Sequence, residues 1–167
     1  MTVAVLFPSY DHQAIEERYA SWQAELRLRG AGTRFYYYPA GAAARDVSGE
    51  VEEEYVLVVT DPLALAPPGL AGALHENLGT SEAAVPVANV AANRAQAAAL
   101  PAMYMTLREL DLVMEQMRNS GAATEEVVWD QADPAMFFCR TETLDEITAP
   151  LPVALTGRRV ALMSKFP

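Results

Sequence analysis

The sequence predicts an α/β fold: one domain over residues 1–167, a three-layer α/β/α sandwich around a mostly parallel sheet. Short apolar runs alternate along the chain with stretches whose apolar residues recur every three or four positions. The run YVLVVT at residues 55–60 is apolar on both faces, as expected for a strand at the centre of a parallel sheet. A hydrophobic content of 51% over 167 residues is enough for the core of one such domain.

Seven apolar segments are predicted to be strands. Proline ends the first two, at Pro8 and Pro39, because it has no N–H to donate to a strand ladder. Pro86 lies within the fourth, which is therefore predicted to lie at a sheet edge or to contain a bulge. The predicted strands are residues 3–7, 34–38, 55–60, 85–90, 127–129, 136–140 and 159–163.

Helices are predicted between these strands. Apolar residues at positions 15, 19, 22 and 26 form one face of an amphipathic helix. Another helix follows Pro67 and Pro68, carries Leu70, Leu74 and Leu78, and ends at Gly79. A third stripe, at positions 107, 110, 114 and 117, is predicted to pack in the core or against a second copy of the chain. Residues 40–44 are expected to be a small-residue loop or a helix start, and residues 141–147 one helical turn.

The charge balance excludes some functions. The chain has 22 acidic and 12 basic side chains, a net charge of -10, which argues against nucleic acid or an anionic membrane as the main partner. No stretch approaches the roughly 20 apolar residues of a membrane span. The apolar N-terminus lacks a basic flank and is predicted to be a strand and not a signal peptide, so we expect a cytoplasmic protein. Abundant alanine and a single lysine indicate a GC-rich, bacterial genome.

Polar residues follow three predicted strands at the points where they end. The segment 8–11 (PSYD) follows the first strand, residues 41–46 follow the second, and Asp61 follows the central strand. In an open parallel sheet, ligands bind beyond the carboxyl ends of the strands. We therefore expect these three segments to converge on one edge of the sheet.

These segments resemble the inverting nucleotide-sugar glycosyltransferases of the GT-A fold. VAVLFPSYD resembles the opening strand and turn of that family, and RFYYYPAGAAARDVSGEVEEEYVLVVTDP is similar to the stretch leading to its Asp-x-Asp motif. PPGLAGALHENL and AMFFCRTETLDEI resemble two later segments in the same order. The resemblance implies a shortened GT-A domain that binds a nucleotide-diphosphate sugar. It implies Asp61 as a ligand of Mn²⁺ or Mg²⁺, and as donor-binding residues Pro8, Ser9, Tyr10, Asp11, Arg45 and Asp61.

The chain also departs from that family at three places. Residues 28–33 leave no room for the strand that holds the nucleotide base, and Leu63 stands at the second acid of the Asp-x-Asp motif. No acid follows Glu146, where the family has its catalytic base, and Asp145 and Glu146 are the nearest candidates. Two hypotheses therefore stand: a glycosyltransferase-like enzyme with weakened catalysis, or a non-catalytic binding or assembly module on the same scaffold.

Other residues are given structural roles with a functional alternative. His12 and His75 are expected to be at the surface or half-buried, because no ligand pattern surrounds them. Cys139 is predicted to be a buried, inert thiol, and as the lone cysteine it excludes an intrachain disulfide. No Walker-type loop or GxGxxG motif is present, which weighs against a nucleotide hydrolase or a standard dinucleotide enzyme.

The aromatic and acidic clusters also have a structural or a functional interpretation. In a strand at most Tyr36 and Tyr38 of the tyrosine run share a face, where they pack in the core or stack on a sugar. Trp129 and the acidic loop 130–133 are either ordinary edge structure or the lining of an acceptor pocket. The glutamates at positions 50 and 52–54 are predicted to form a solvated face.

Overall fold

A seven-stranded mixed sheet forms the centre of the computed structural model, which describes residues 2–9, 33–39, 41–61, 69–86, 108–109, 112, 124–130 and 134–163. The strand order across the sheet is β2-β1-β3-β6-β4-β7-β5. The strands are β1 (Val3–Pro8), β2 (Thr33–Tyr38), β3 (Tyr55–Val59), β4 (Ala83–Pro86), β5 (Thr124–Val128), β6 (Met136–Arg140) and β7 (Arg159–Met163). The described helices are α1 (Ala44–Ser48), α2 (Leu70–Leu78), α3 (Thr141–Asp145) and the 3-10 turn Leu151–Val153.

The first three strands are parallel neighbours, as the sequence predicts. β1 lies between β2 and β3 and pairs in parallel with both. Val5 is opposite Phe35 on one side and Leu57 on the other, so the three strands run in register. β1 is buried along its whole length because it has a strand on each side and apolar layers on both faces.

The remaining pairings make the sheet mixed, which corrects the prediction of a mostly parallel sheet. β6 runs antiparallel to both β3 and β4, and β5 runs antiparallel to β7. The three parallel pairings are β1–β2, β1–β3 and β4–β7. The sequence of β6, MFFCR, is apolar on both faces, and this pattern shows that a strand is buried without showing its direction.

Each face of the sheet carries a buried cluster. On one face Leu70, Leu74 and Leu78 of α2 pack with side chains of the central strands such as Leu57 and Phe138. On the other face the short helices contribute their apolar residues to a cluster with the alternate side chains of the same strands. That cluster includes Ala44, Leu144, Leu151, Leu6, Val58 and Phe137. The described part of the chain contains no helix long and apolar enough to span a membrane.

Two predictions about elements need comment. The helix with Leu70, Leu74 and Leu78 is confirmed, whereas the apolar residues of the stretch from residue 15 and of the stripe at positions 107, 110, 114 and 117 lie outside the described residues.

β4 is an interior strand, so the prediction of an edge for Pro86 is wrong. Its pairing with β6 ends at Ala84, so the missing N–H of Pro86 falls where that ladder has already finished.

Candidate functional site

The carboxyl ends of β1, β2 and β3 meet at one edge of the sheet, which we call the binding edge and define by Pro8, Ser9, Tyr38 and Asp61. Pro8 is the buried last residue of β1, and Ser9 next to it is exposed. Asp61 follows β3 by two residues and is half-buried. Two of the three predicted segments therefore reach the same edge because their strands are parallel neighbours.

Ser9 is held to the end of β2 by two hydrogen bonds. Its backbone N–H and its hydroxyl both donate to the carbonyl oxygen of Tyr38, at 2.7 Å and 3.0 Å. A hydroxyl has one proton and two lone pairs. With its proton directed to Tyr38, the Ser9 oxygen is left as an acceptor for an N–H or O–H group.

The chain around Asp61 is held to the segment that enters β6. The backbone N–H groups of Thr60 and Asp61 both donate to the carbonyl oxygen of Ala135, at 3.0 Å each. The Thr60 hydroxyl donates to the carbonyl oxygen of Pro134. These three bonds fix the backbone that carries the Asp61 carboxylate.

Ser9 and Asp61 follow neighbouring strands at the same distance beyond their last pair. That last pair of β1 and β3 is Leu6 opposite Val58, and Ser9 and Asp61 each lie three residues further along the chain. Neighbouring strands are separated by roughly 4.8 Å. Ser9 and Asp61 therefore lie beyond the carboxyl ends of two adjacent parallel strands.

Arg45 lies on α1, and its described contacts lead away from the binding edge. Its backbone N–H donates to the carbonyl oxygen of Ile147, and its guanidinium Nε is 3.7 Å from the carboxylate of Asp46. Both side chains of this ion pair are exposed. The described contacts therefore tie Arg45 to the chain after α3 and leave its predicted donor-binding role unsupported; Tyr10 and Asp11 lie outside the described residues.

The fit of a metal ion to these residues is partial. Within the described ranges no three His, Cys, Asp or Glu side chains are grouped closely enough to hold a metal ion. Asp61 offers one carboxylate, and Mg²⁺-type ions are commonly held by one or two carboxylates together with substrate phosphates and water. Among the described residues of the binding edge, Asp61 is therefore the side chain that could contribute one carboxylate to a divalent cation.

Trp129 cannot form a sugar-stacking surface, which overturns the acceptor-pocket alternative for this residue; positions 131–133 of the acidic loop lie outside the described residues. Its ring is only 1% exposed and belongs to the same buried cluster as Leu6 and Phe137. Trp129 continues the pairing of β5 with β7, because it exchanges backbone hydrogen bonds with Arg158 and Gly157, and its side chain shares the buried face with Val127 two residues earlier. Its indole Nε1 has no hydrogen-bond partner in the described structure.

One member of the predicted solvated glutamate face is buried. Glu53 is 8% exposed, and its carboxylate accepts a hydrogen bond of 3.0 Å from the Tyr36 hydroxyl. Arg34 Nε lies 3.3 Å from the same carboxylate. These partners compensate the loss of water around the charge. The other three glutamates, at positions 50, 52 and 54, are exposed as predicted.

Several other predictions are confirmed. Cys139 is fully buried in β6. His75 is half-buried, with its ring 4.7 Å from that of Tyr55 in an edge-to-face contact. Tyr36 and Tyr38 pack on the same face of the sheet, whereas Tyr37 is 49% exposed. His12 lies outside the described residues.

The role of Tyr38 at the binding edge was not predicted. Its hydroxyl donates a 2.6 Å hydrogen bond to the carbonyl oxygen of Val59, two residues before Asp61. Strand alternation placed Tyr38 on a buried face, but no local signal in the sequence identifies a backbone acceptor 21 residues away.

Comparison with known protein families, with curated proteins and with solved structures found no match for this chain.

Proposed function

We propose that this protein binds a nucleotide-diphosphate sugar at the binding edge, as a shortened glycosyltransferase-like domain. The observation that carries the proposal is the parallel triplet β2-β1-β3, which presents Ser9 and Asp61 at one edge of the sheet. Ligand sites of open α/β sheets lie beyond the carboxyl ends of such strands. The three-layer GT-A architecture remains a prediction from sequence resemblance.

The two side chains suit different parts of the donor. The Ser9 oxygen, left as an acceptor, suits an N–H of the base or a hydroxyl of the ribose. The Asp61 carboxylate suits a divalent cation that also binds the diphosphate. A protein of net charge -10 repels a free diphosphate, so the cation is needed to bring the two together.

A specific observation favours the non-catalytic alternative. Asp145, one candidate for the missing base, accepts a hydrogen bond from Ser48 and belongs to α3. α3 begins at Thr141, whose N–H donates to Glu54 just before β3, at the end of that strand opposite to the binding edge. The alternative is therefore a module that binds the donor or assembles with a second copy without catalysing transfer.

Thermal unfolding with added donor tests the proposal. We expect UDP- or GDP-sugar with Mn²⁺ to stabilise the protein, by about 2.7 kcal/mol at a concentration of 100 times the dissociation constant. Mn²⁺ alone should give a smaller shift than Mn²⁺ with donor, because the diphosphate oxygens are proposed to supply ligands that Asp61 alone does not. If none of the donors shifts the midpoint in the presence of Mn²⁺, the proposal is wrong.

The contribution of Asp61 is tested by Asp61→Asn with Glu142→Gln as the matched control. Glu142 is an exposed acid on α3, so its substitution makes the same change of charge away from the binding edge. We expect Asp61→Asn to abolish the donor-dependent shift and Glu142→Gln to retain it. An equal shift in wild type and Asp61→Asn would remove Asp61 from the cation site.

Donor turnover separates the enzyme from the binding module. We expect the binding module to leave the donor intact after prolonged incubation with Mn²⁺, as measured by release of free nucleoside diphosphate. If nucleoside diphosphate is released, and Asp145→Asn or Glu146→Gln abolishes that release, the protein is an enzyme and the substituted residue is its catalytic base.

A further inference from the structure

We infer that Tyr38 is the positioning residue of the binding edge, because it joins the segment after β1 to the end of β3. The inference deepens the proposed function and rests on it for the identity of the ligand. The inference is based on the hydrogen bonds of Tyr38 to two different segments: its carbonyl oxygen accepts from Ser9, and its hydroxyl donates to Val59.

The main chain of Tyr38 holds Ser9. Its carbonyl oxygen accepts both hydrogen bonds of Ser9, from the backbone N–H and from the hydroxyl. A carbonyl oxygen has two lone pairs, so both bonds are satisfied at one atom. The Ser9 hydroxyl is thereby held with its acceptor side available to a ligand.

The side chain of Tyr38 holds the end of β3. β1 separates β2 from β3, so the phenol has to reach over the end of β1 to meet the Val59 carbonyl. Two strand spacings amount to roughly 9.6 Å, about the reach of a tyrosine side chain plus one hydrogen bond. The side chain is 4% exposed and lies in the cluster with Leu6 and Val58. Tyr38 is therefore a buried strap across three strands at their carboxyl ends.

A buried hydrogen bond of this kind constrains both segments. Without the phenol, the Val59 carbonyl would lose this buried hydrogen bond, and such a loss is costly. Asp61 lies two residues further on, so a shift of Val59 moves the carboxylate proposed to bind the cation. The strap thus links the positions of Ser9 and Asp61 to one buried residue.

Tyr36 provides a matched control on the same strand. It shares a face with Tyr38 and its hydroxyl is also hydrogen-bonded across the sheet, but to the carboxylate of Glu53, which precedes β3. Tyr36→Phe therefore removes the same phenolic oxygen at the other end of β3. Tyr38→Phe is conservative because it keeps the ring and the carbonyl that accepts the bonds of Ser9.

Two measurements on wild type, Tyr38→Phe and Tyr36→Phe test the inference at a temperature where all three are fully folded. The first is amide hydrogen exchange. We expect Tyr38→Phe to accelerate exchange at Thr60 and Asp61 about tenfold while Leu57 stays protected, and Tyr36→Phe to leave Thr60 and Asp61 unchanged. The second is donor affinity with Mn²⁺, which Tyr38→Phe should weaken about tenfold and Tyr36→Phe by less than about twofold.

The outcomes separate this inference from the proposed function. If wild type binds a donor and Tyr38→Phe binds it equally well, the positioning role of Tyr38 is wrong while the proposed function stands. If wild type binds no donor, the proposed function is wrong, and hydrogen exchange alone decides whether Tyr38 orders the edge. Equal exchange at Thr60 and Asp61 in the two variants overturns the inference with or without a ligand.

Discussion

Burial raises the pKa of the Cys139 thiol to about 12, because desolvation disfavours the thiolate and the nearby positive charge of Arg158 offsets only part of that effect. The thiolate is the form that reacts with alkylating and disulfide reagents. A thiol that is fully buried and protonated at neutral pH is therefore inert while the protein is folded.

We predict that Cys139 in the folded protein reacts with a thiol reagent at pH 8 at least about 10³-fold more slowly than in the denatured chain. The chain has a single cysteine, so no other thiol contributes to the signal. Labelling should accelerate in parallel with global unfolding when denaturant is added. Labelling of the native protein at the rate of a free thiol would contradict the burial of β6.

The raised pKa of Cys139 also determines how this residue changes the stability of the protein with pH. The pKa of about 12 in the folded protein is higher than the ordinary thiol value of 9.0, so the thiol of the unfolded chain loses its proton first as pH rises. This contribution to the free energy of unfolding is intact below pH 9 and decreases between pH 9 and about 12. Denaturant unfolding of wild type and Cys139→Ala at pH 8 and 10 measures it: the stability of the variant should fall less with pH.

For single residues, the sequence predicted the burial of side chains whose faces follow from strand alternation. It did not predict burial that depends on residues distant in the sequence. Cys139 and the pair Tyr36 and Tyr38 are placed as predicted, since their faces follow from the phase of one strand. The solvated face predicted for Glu53 and the acceptor-pocket alternative for Trp129 were wrong. Burial of Glu53 depends on Arg34 and Tyr36 from another strand, and Trp129 packs in the buried cluster beside Val127 of β5.

At the scale of elements, α1 depends on α3 and on the segment that follows it. α1 has only five residues, too few to be a stable helix alone in water. Its first N–H groups, at Ala44 and Arg45, donate to the carbonyl oxygens of Ala149 and Ile147. The buried Ser48 hydroxyl donates a 2.6 Å hydrogen bond to the carboxylate of Asp145.

We predict that Ser48 and Asp145 are energetically coupled by about 1 kcal/mol, the usual range for such a hydrogen bond when the acceptor is exposed. A double-mutant cycle with Ser48→Ala and Asp145→Ala, which removes the acceptor oxygen, gives this coupling by denaturant unfolding. Asp46→Ala replaces Asp145→Ala in the control cycle, because Asp46 is an exposed acid on α1 and its described ion pair is with Arg45. Equal couplings in the two cycles would show that the contact between α1 and α3 does not depend on this bond.

Element identity was more predictable than element direction. The apolar runs located β1, β2, β3, β6 and β7, and the leucine spacing located α2. Strand direction in the second half of the sheet was missed because a fully apolar strand looks the same in either direction. The edge position predicted from Pro86 was wrong. A proline shows that one N–H is missing, but it does not show where the hydrogen bonds to the neighbouring strand end.

At the scale of the whole molecule, five strands point their carboxyl ends to the binding edge and two run against them. The convergence of Ser9 and Asp61 was predictable from the sequence, because parallel strands place their carboxyl ends together. The bonds that hold this edge were not predictable: they join Tyr38 to Ser9 and Val59, and Asp61 to Ala135, across 21 to 74 positions of the chain. A net charge of -10 disfavours an anionic ligand without a cation, which is why the proposed site includes a divalent ion.

Calorimetric titration of a UDP- or GDP-sugar into the full chain, with Mn²⁺ and again with a chelator, tests the central claim most directly. Wild type and Glu142→Gln should bind at least one donor in the presence of Mn²⁺, with affinity lost in the chelator. Asp61→Asn should bind at least about tenfold more weakly, a difference of about 1.4 kcal/mol. Absence of binding by wild type to every donor, or binding that is indifferent to both the chelator and Asp61→Asn, would contradict the proposed site.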